Sequence, residues 1–347
     1  MDKIVFVIGA TKSGGAEKRA IFLSKLLKDS YETKVFAFHG ENDGDVDLVY
    51  MPTYEAYKQT RKSQRINQLR NYLLKEKPNF VISFVPHINF FTTKAVKGMD
   101  TLHIVGIVFP FFKFPSSYLL RYSLKKADAV YYQCEEQKLY LKCRCFNFVL
   151  PNPIDVLPLR ENLYSHKMMS VGRLEPQKDF PLLINAFKKI SESIKDAALD
   201  IYGLGSEKEN LITLIKQLGL DNKVQIYDYI DNIAEEYKKH DIFLFSSKAE
   251  GFPNALAEAM ANNLICFSTS FKTGCNELLI NNQTGFVCET RDSVAFGNMI
   301  AEKLNDYGNC LNVSKNGYEH IKSLCDINKF KDEFIKNLTE LKNGKTK

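Results

Sequence analysis

The 347-residue chain has no window approaching 18 uninterrupted apolar residues, the length a bilayer-crossing helix requires. No transmembrane helix is expected, and the opening run MDKIVFVIGA, short and closed by glycine, reads as a strand rather than a signal peptide. No C-x-x-C and no Cys/His set at zinc spacing occurs, and of eight scattered cysteines only Cys143 and Cys145 are close. That usage predicts cytosolic thiols instead of a disulfide framework or a metal site. The chain also lacks a Walker A loop, a complete G-x-G-x-x-G, a short-period repeat and any low-complexity segment. No recognised nucleic-acid-binding motif is present, so no nucleic-acid partner is expected. A cytoplasmic protein that at most touches a membrane fits these absences.

What is present begins with length. A chain of this size exceeds what one core normally supports, so two domains are expected. Apolar residues make up 45% and charged residues 25%, ordinary for a globular protein. The net charge of +6 is unevenly spread: residues 1–150 hold 23 Lys and Arg against 14 Asp and Glu, residues 151–347 hold 24 against 27. The first half thus carries the whole positive excess, which suits an anionic surface or ligand, with a merely soluble basic domain as the plain alternative.

Short apolar runs alternate with helical patterns. KIVFVIG (3–9), KVFAF (34–38), FVISF (80–84), HIVGI (103–107), AVYY (129–132) and NFVL (147–150) read as buried parallel strands, with helices at 16–28, 64–77 and 116–126 between them. LPNPIDVLPL (150–159) interrupts with three prolines in ten residues and is the best linker candidate. The pattern restarts with strands at 167–172, 199–203, 223–227, 242–245, 264–268 and 285–287, and helices at 181–193, 207–218, 232–239, 254–262 and 292–305. Residues 326–343 form a long amphipathic helix. The expectation is two doubly wound α/β domains, 1–155 and 156–325, and a C-terminal helix within 326–347 able to cross back to the first. Ligands in such sheets bind beyond the carboxyl ends of the strands, so two facing domains would make a cleft.

Candidate chemistry falls at strand ends. In GATKSGGAEK (9–18) glycines allow close backbone approach and the following helix offers free N–H groups; alone this is a weak signal. In VGRLEPQKDFPLL (171–183) Arg173 and Lys178 flank a strand-end loop, suiting a diphosphate, the guanidinium as a fork and the ammonium as a point charge. Two solvated loop charges are the bland alternative. In AEGFPNALAEAM (249–260) Pro253 near the first helical position starts a helix whose early N–H groups, at Phe252, Asn254, Ala255 and Leu256, form an anion site. Glu250 precedes the turn. Glu258 is the one charge between Gly251 and Phe271, and a carboxylate in so apolar a helix needs polar partners. Its distance from Glu250 along the element, roughly 10–12 Å at ~1.5 Å per residue, would span a nucleotide-sugar and is too long for a hydrolytic carboxylate pair. YGLGSE (202–207) and IYDYIDN (226–232) end two further strands and could line a base or phosphate pocket through backbone groups.

VGRLEPQKDFPLLINAF, IYGLGSEKENL, VQIYDYIDNI and SSKAEGFPNALAEAMANNLICFSTSFKTGCNELLINNQTGFV together resemble the retaining nucleotide-sugar glycosyltransferases of family four, of the GT-B fold. The likeness covers nearly all of 167–305, its most specific part being the Glu-x7-Glu element, and SGGAEKRAIFLSKLL resembles the family's N-terminal glycine loop. The resemblance implies two Rossmann-like domains and a UDP-sugar as donor, with no separate cofactor. It implies that Arg173 and Lys178 neutralise the donor diphosphate and, with Glu250, make up the catalytic set. Glu250 would bind hydroxyls of the donor sugar, helped by the backbone at Phe252, Pro253 and Asn254. The Ala255 and Leu256 amides would hold phosphate, Glu258 the ribose hydroxyls, and Gly15 would approach the diphosphate from the other domain. It further implies retention of configuration, with leaving-group charge stabilised electrostatically.

One departure concerns the acceptor side. The family's late histidine-bearing strand end corresponds here to HIVGIVFPFFKFPSSY, where His103 sits at the strand's start; His87 in FVPHINFF could enter the cleft instead, or be a structural loop histidine. DGDVD (43–47) contains a D-x-D, best read as a solvated turn, and no metal is expected. Two basic segments, 57–77 and the aromatic-rich 109–126, suit an anionic membrane surface, unless the phenylalanines are core and the cations a solvated face. The reading is a hexosyltransferase that moves a hexose or N-acetylhexosamine to a lipid-linked or other glycan acceptor in bacterial polysaccharide biosynthesis, peripheral to the inner membrane face. A UDP-sugar epimerase or hydrolase of the same shape and a non-catalytic nucleotide-sugar-binding subunit are the rivals.

Overall fold

The computed structural model describes every residue except 12–14, 42–43, 45, 109–117, 162, 229, 231, 272–274 and 346–347. The chain divides into two compact units, 1–151 with 328–347, and 152–327.

In the first unit the strands are β1 (Lys3–Ala10), β2 (Glu32–His39), β3 (Leu48–Met51), β4 (Phe80–Phe84), β5 (Leu102–Ile107), β6 (Ala129–Tyr132) and β7 (Phe146–Val149). They form one sheet in the order β3-β2-β1-β4-β5-β6-β7, every pairing parallel. The helices are α1 (Gly15–Leu27), α2 (Tyr54–Gln59), α3 (Lys62–Glu76), α4 (Pro86–Ala95), α5 (Tyr118–Lys126) and α6 (Glu135–Tyr140). β4 and β5 are buried at every position, as expected of strands covered by helices on both faces. β3, α2, α4 and α6 are additions to the expected elements. β3 is the sheet's edge, only four residues long and half exposed. α4 buries Ile88, Asn89, Phe91, Thr92, Thr93 and Ala95, a face all round that leaves no helical period to read. Of the D-x-D segment, Asp43 and Asp45 lie outside the described residues; Asp47 accepts from the Val35 N–H at 2.7 Å and pairs with Lys34 at 3.1 Å.

The second unit repeats the order with β10-β9-β8-β11-β12-β13, again all parallel. Its strands are β8 (Lys167–Val171), β9 (Ala198–Tyr202), β10 (Val224–Tyr227), β11 (Ile242–Phe245), β12 (Ile265–Thr269) and β13 (Phe286–Cys288). Its helices are α7 (Phe180–Ser193), α8 (Lys208–Gln217), α9 (Ile233–Tyr237), α10 (Asn254–Ala261), α11 (Cys275–Leu278), α12 (Ser293–Leu304) and α13 (Tyr307–Leu324). Both sheets therefore place their switch point beside the first strand, between β1 and β4 and between β8 and β11.

The last helix, α14 (Ile327–Lys345), completes the first unit's core. Phe330, Phe334, Leu338 and Leu341 are buried in the cluster that holds Ile4, Phe6 and Tyr131. Phe334 meets Tyr131 and Phe148 edge-on at 5.9 and 5.8 Å. Buried Arg19 on α1 lies 4.6 Å over the Phe330 ring and donates to the Tyr131 hydroxyl at 3.0 Å. The thiol expectation fails at one pair. Cys143 and Cys145 are joined as a disulfide, their Cα atoms 5.5 Å apart, a separation a disulfide spans; Cys134, Cys266, Cys288, Cys310 and Cys325 are free and buried.

Candidate functional site

The second unit gathers its charged residues at the carboxyl ends of β8 and β11. β8 runs into Gly172, and the loop 172–178 folds back so that the Lys178 stem lies against Gly172, where an added Cβ would stand 3.3 Å from Cδ and Cε. β11 ends at Phe245, and residues 246–250 lead towards α10. The two loops are stitched together: Lys248 N–H donates to the Gln177 carbonyl at 2.8 Å, Gln177 Nε2 to the Ala249 carbonyl at 2.6 Å, and Ser246 Oγ to the Lys178 carbonyl at 2.8 Å. This stitching aims Lys178 Nζ at Glu250 Oε1, 2.7 Å away, and Ser247 Oγ donates to the same oxygen at 2.5 Å. The side chains of Lys178 and Glu250 are only 17% and 10% exposed, so each offsets the cost of burying the other's charge. Arg173 is exposed and makes no ion pair among the described residues.

The glycines of YGLGSE are explained by packing. A Cβ at Gly203 would overlap the Gly172 carbonyl, and one at Gly205 the Leu174 carbonyl. Leu174 N–H donates to the Leu204 carbonyl at 2.8 Å, so this loop buttresses the segment carrying Arg173. In the other strand-end segment Tyr227 stacks on Tyr202 at 5.0 Å; residues 229 and 231 lie outside the described set.

Pro253 occupies the N-cap position, and the helix starts at Asn254, where it was expected. The expectation for its amides needs correction. Two of the amides expected to be open are engaged: Asn254 N–H donates to the Phe252 carbonyl and Leu256 N–H to the Pro253 carbonyl, both at 3.0 Å. A tight first turn, forced by proline's fixed φ, closes these bonds locally. Ala255 N–H has no partner among the described residues, and the Asn254 side chain accepts from Asn152 at 2.7 Å. α10 begins four residues before Glu258, a helical rise of about 6 Å from its start to that residue. The half-buried Glu258 carboxylate accepts from the Tyr237 hydroxyl at 3.2 Å. That is the polar partner its apolar helix required. Burial, and then Glu258, raises the Tyr237 phenol well above its ordinary range, so it stays a neutral donor.

Arg291 is the residue that reading the sequence missed. It lies between β13 and α12, with Asp292 capping that helix. Its Nη1 donates to the Ser247 carbonyl at 2.8 Å and Thr269 Oγ1 at 2.9 Å; its Nη2 donates to Asp179 Oδ2 at 2.7 Å and the Ser246 carbonyl at 2.6 Å. One guanidinium thus ties the ends of β11 and β12 to the residue following Lys178. No short motif surrounds it, and its partners are distant in sequence, so only the fold brings them together.

On the first unit Gly15 opens α1, with no atom of the described residues within 4 Å of where a Cβ would stand. His87 is the second residue of α4, after Val85, whose φ of 59° is strained for a β-branched side chain. Desolvation first, then Arg65 and His39, holds the His87 imidazole below its ordinary value. His103 is fully buried in β5, with Nε2 2.9 Å from the Ser83 hydroxyl, which itself donates to Asn89 Oδ1 at 2.8 Å. Burial pushes it down to about 3; it is a neutral core histidine.

Two Rossmann-like units of matching strand order make the GT-B fold, the second presenting a cation–carboxylate pair at its switch point. Residues 158–320 match the family model described as glycosyl transferases group 1, and the chain carries that family's domain there. Over 99% of its length it is 24% identical to the whole of a Campylobacter jejuni protein named GalNAc-alpha-(1->4)-GalNAc-alpha-(1->3)-diNAcBac-PP-undecaprenol alpha-1,4-N-acetyl-D-galactosaminyltransferase. A second C. jejuni protein, N-acetylgalactosamine-N,N'-diacetylbacillosaminyl-diphospho-undecaprenol 4-alpha-N-acetylgalactosaminyltransferase, is 35% identical over 122 residues, 35% of this chain and 33% of that one. Among solved structures, Anabaena Alr3699/HepE in complex with UDP-glucose superposes with a TM-score of 0.84 at 16% identity, covering 97% of this chain and 99% of that one.

Proposed function

We propose that the chain transfers a hexose or N-acetylhexosamine from a UDP-sugar to a hydroxyl of a lipid-linked glycan. The observation that carries this reading is the Lys178–Glu250 pair, fixed at 2.7 Å at the β8 and β11 strand ends, with exposed Arg173 on the same loop and the open Ala255 amide at the tip of α10. Arg173 and Lys178 take the diphosphate, Glu250 the hydroxyls of the donor sugar and Glu258 the ribose. As the sugar–phosphate bond breaks, the charge developing on the leaving diphosphate meets cations and a helix terminus already in place, and no reorganisation is needed at that moment. Gly15 serves the diphosphate and His87 the acceptor side.

The acceptor hydroxyl attacks from the face the leaving group departs and gives its proton to the departing diphosphate oxygen, so configuration is retained, and the chemistry needs no metal. The lipid-linked acceptor is supported by the names of the C. jejuni relatives. No helix of the described residues is long and apolar enough to cross a membrane. Exposed Tyr118, Arg121, Lys125 and Lys126 on α5, with the basic α3, support peripheral binding to an anionic bilayer; the neighbouring segment 109–117 lies outside the described residues.

The test is thermal unfolding against UDP-, GDP- and ADP-sugars with EDTA present, for wild type and Glu258→Ala. At about 100 times its dissociation constant a ligand stabilises by ~2.7 kcal/mol. A shift with one UDP-sugar, reduced in the variant, is the expected result, and that sugar is then assayed for transfer and the anomer of the product read by NMR. No shift with any of them overturns the donor assignment.

A further inference from the structure

The first unit has a cavity of about 610 Å³ where β1, β2 and β4 end. It sits at the switch point between β1 and β4, where a doubly wound sheet opens a crevice, and its size suits a small organic ligand. One wall is an aromatic shelf. Tyr54 and Tyr57 lie nearly parallel, 26° apart at 6.1 Å, and the His39 ring is 5.1 and 5.0 Å from them. Tyr54 is 53% exposed beside the pocket, with the Lys58 ammonium 4.5 Å over its ring.

The rim carries two cations, Lys62 and Arg65, from the first turn of α3. Neither has a carboxylate partner among the described residues. Lys58 nearby is paired with Glu55 at 2.9 Å. Arg65 is immobilised by neutral groups: Nε donates to Thr60 Oγ1 at 2.9 Å, Nη2 to the Tyr57 carbonyl at 2.7 Å, and the guanidinium lies 3.7 Å over the Tyr57 ring. Its position is fixed and it makes no ion pair among the described residues, as in a preformed anion site, while the one carboxylate among the described lining residues, Glu17, stands at the β1 end of the cavity. His87 closes the cavity opposite. Flat rings stack on the C–H face of a sugar, and cations select one with a negative substituent.

We propose that this pocket binds an acidic pyranose, a hexose ring bearing a carboxylate or a phosphate, with the ring on Tyr54 and the charge on Lys62 and Arg65. The assignment rests on the transferase reading, in which the pocket takes a sugar of the acceptor. The experiment titrates the full chain with glucuronic acid, a glucose monophosphate, glucose and inorganic phosphate at low ionic strength, followed by saturation-transfer NMR, with UDP titrated into the same samples. Both acidic sugars, or one of them, should bind about tenfold or more tighter than glucose, the preferred one naming the anionic group. Lys62→Gln should remove that preference while leaving glucose unchanged, and Tyr54→Ala should weaken every sugar but not UDP. Both side chains are exposed, so neither variant threatens folding. Equal binding of glucose and the acidic sugars, an unchanged Lys62→Gln profile, or inorganic phosphate matching the glucose monophosphate overturns the proposal. If UDP binds and no acidic sugar does, this inference fails alone; if UDP does not bind, the donor reading fails as well.

Discussion

The two units share a strand order and differ in how they treat charge at their switch points. In the second, Lys178 is paired with Glu250 and Arg291 with Asp179, at 2.7 Å each. In the first, Lys62 and Arg65 stand at a pocket with no carboxylate partner among the described residues. A site closed by its own ion pairs is held in shape before any ligand arrives. A site with unpaired cations depends on its ligand for neutralisation. Substitutions at Glu250 and Arg291 in the second should therefore alter turnover more than affinity, and at Lys62 and Arg65 in the first affinity more than turnover.

The largest effect should come from Glu250. Glu250→Gln keeps the shape and removes the charge, and kcat/KM for transfer should fall by about 10³ while UDP affinity, measured by calorimetry, changes little. Equal losses in UDP affinity and turnover would move Glu250 from the sugar to the nucleotide. Next in size is a change confined to the first unit. Phe334→Ala opens a cavity among Tyr131, Phe148 and Phe330 and should cost ~3–5 kcal/mol in denaturant unfolding. Hydrogen exchange should accelerate in β5 and β6 and not in β8 to β13; acceleration in both sheets would show that the units unfold as one.

The second unit was legible because its signals are local. Arg173, Lys178, Glu250 and Glu258 lie within two short segments, each a strand end followed by a helix start, and the β11 loop and α10 fall where the apolar runs place them. Arg291 was not legible, since its five partners come from residues 179, 246, 247, 269 and 270 and only the parallel sheet assembles them. The same holds for the pocket of the first unit. Its walls come from α2 and α4, a short helix and one buried nearly all round, and neither shows the one-sided period by which helices are read. The disulfide at Cys143 and Cys145 was misjudged because compartment rules weigh scattered cysteines and say nothing of two held within reach by a turn.

Arg291 offers a sharper test of the closed site. Arg291→Met removes five hydrogen bonds beneath Lys178 and Glu250 without touching either. Displacement of the pair should lower kcat by about 10- to 100-fold with KM for the UDP-sugar nearly unchanged, and Arg291→Lys, able to keep fewer of those bonds, should recover only part. A fall in stability without a fall in kcat would make the arginine a structural staple only.

The smallest expected effect separates the units by pH. His103, in β5 of the first unit, has its pKa lowered from 6.5 to about 3 by burial, so the folded state stays neutral where the unfolded chain takes up a proton. Unfolded protein then binds more protons than folded below about pH 6.5, and stability falls with falling pH at up to ~1.4 kcal/mol per unit until the folded value is reached. The contribution is whole above pH 6.5 and is lost on acidification. Between pH 6.5 and 5, where most carboxylates remain ionised, this slope should appear in hydrogen exchange of the β5 amides and be absent from β11. His103→Gln preserves a donor to Ser83 and cannot titrate, so it should flatten the slope even if it lowers stability at neutral pH. A slope that survives the substitution would assign the acid sensitivity of the first unit to another group, with His39 and His87 the next to replace, because both are also held below the ordinary histidine value.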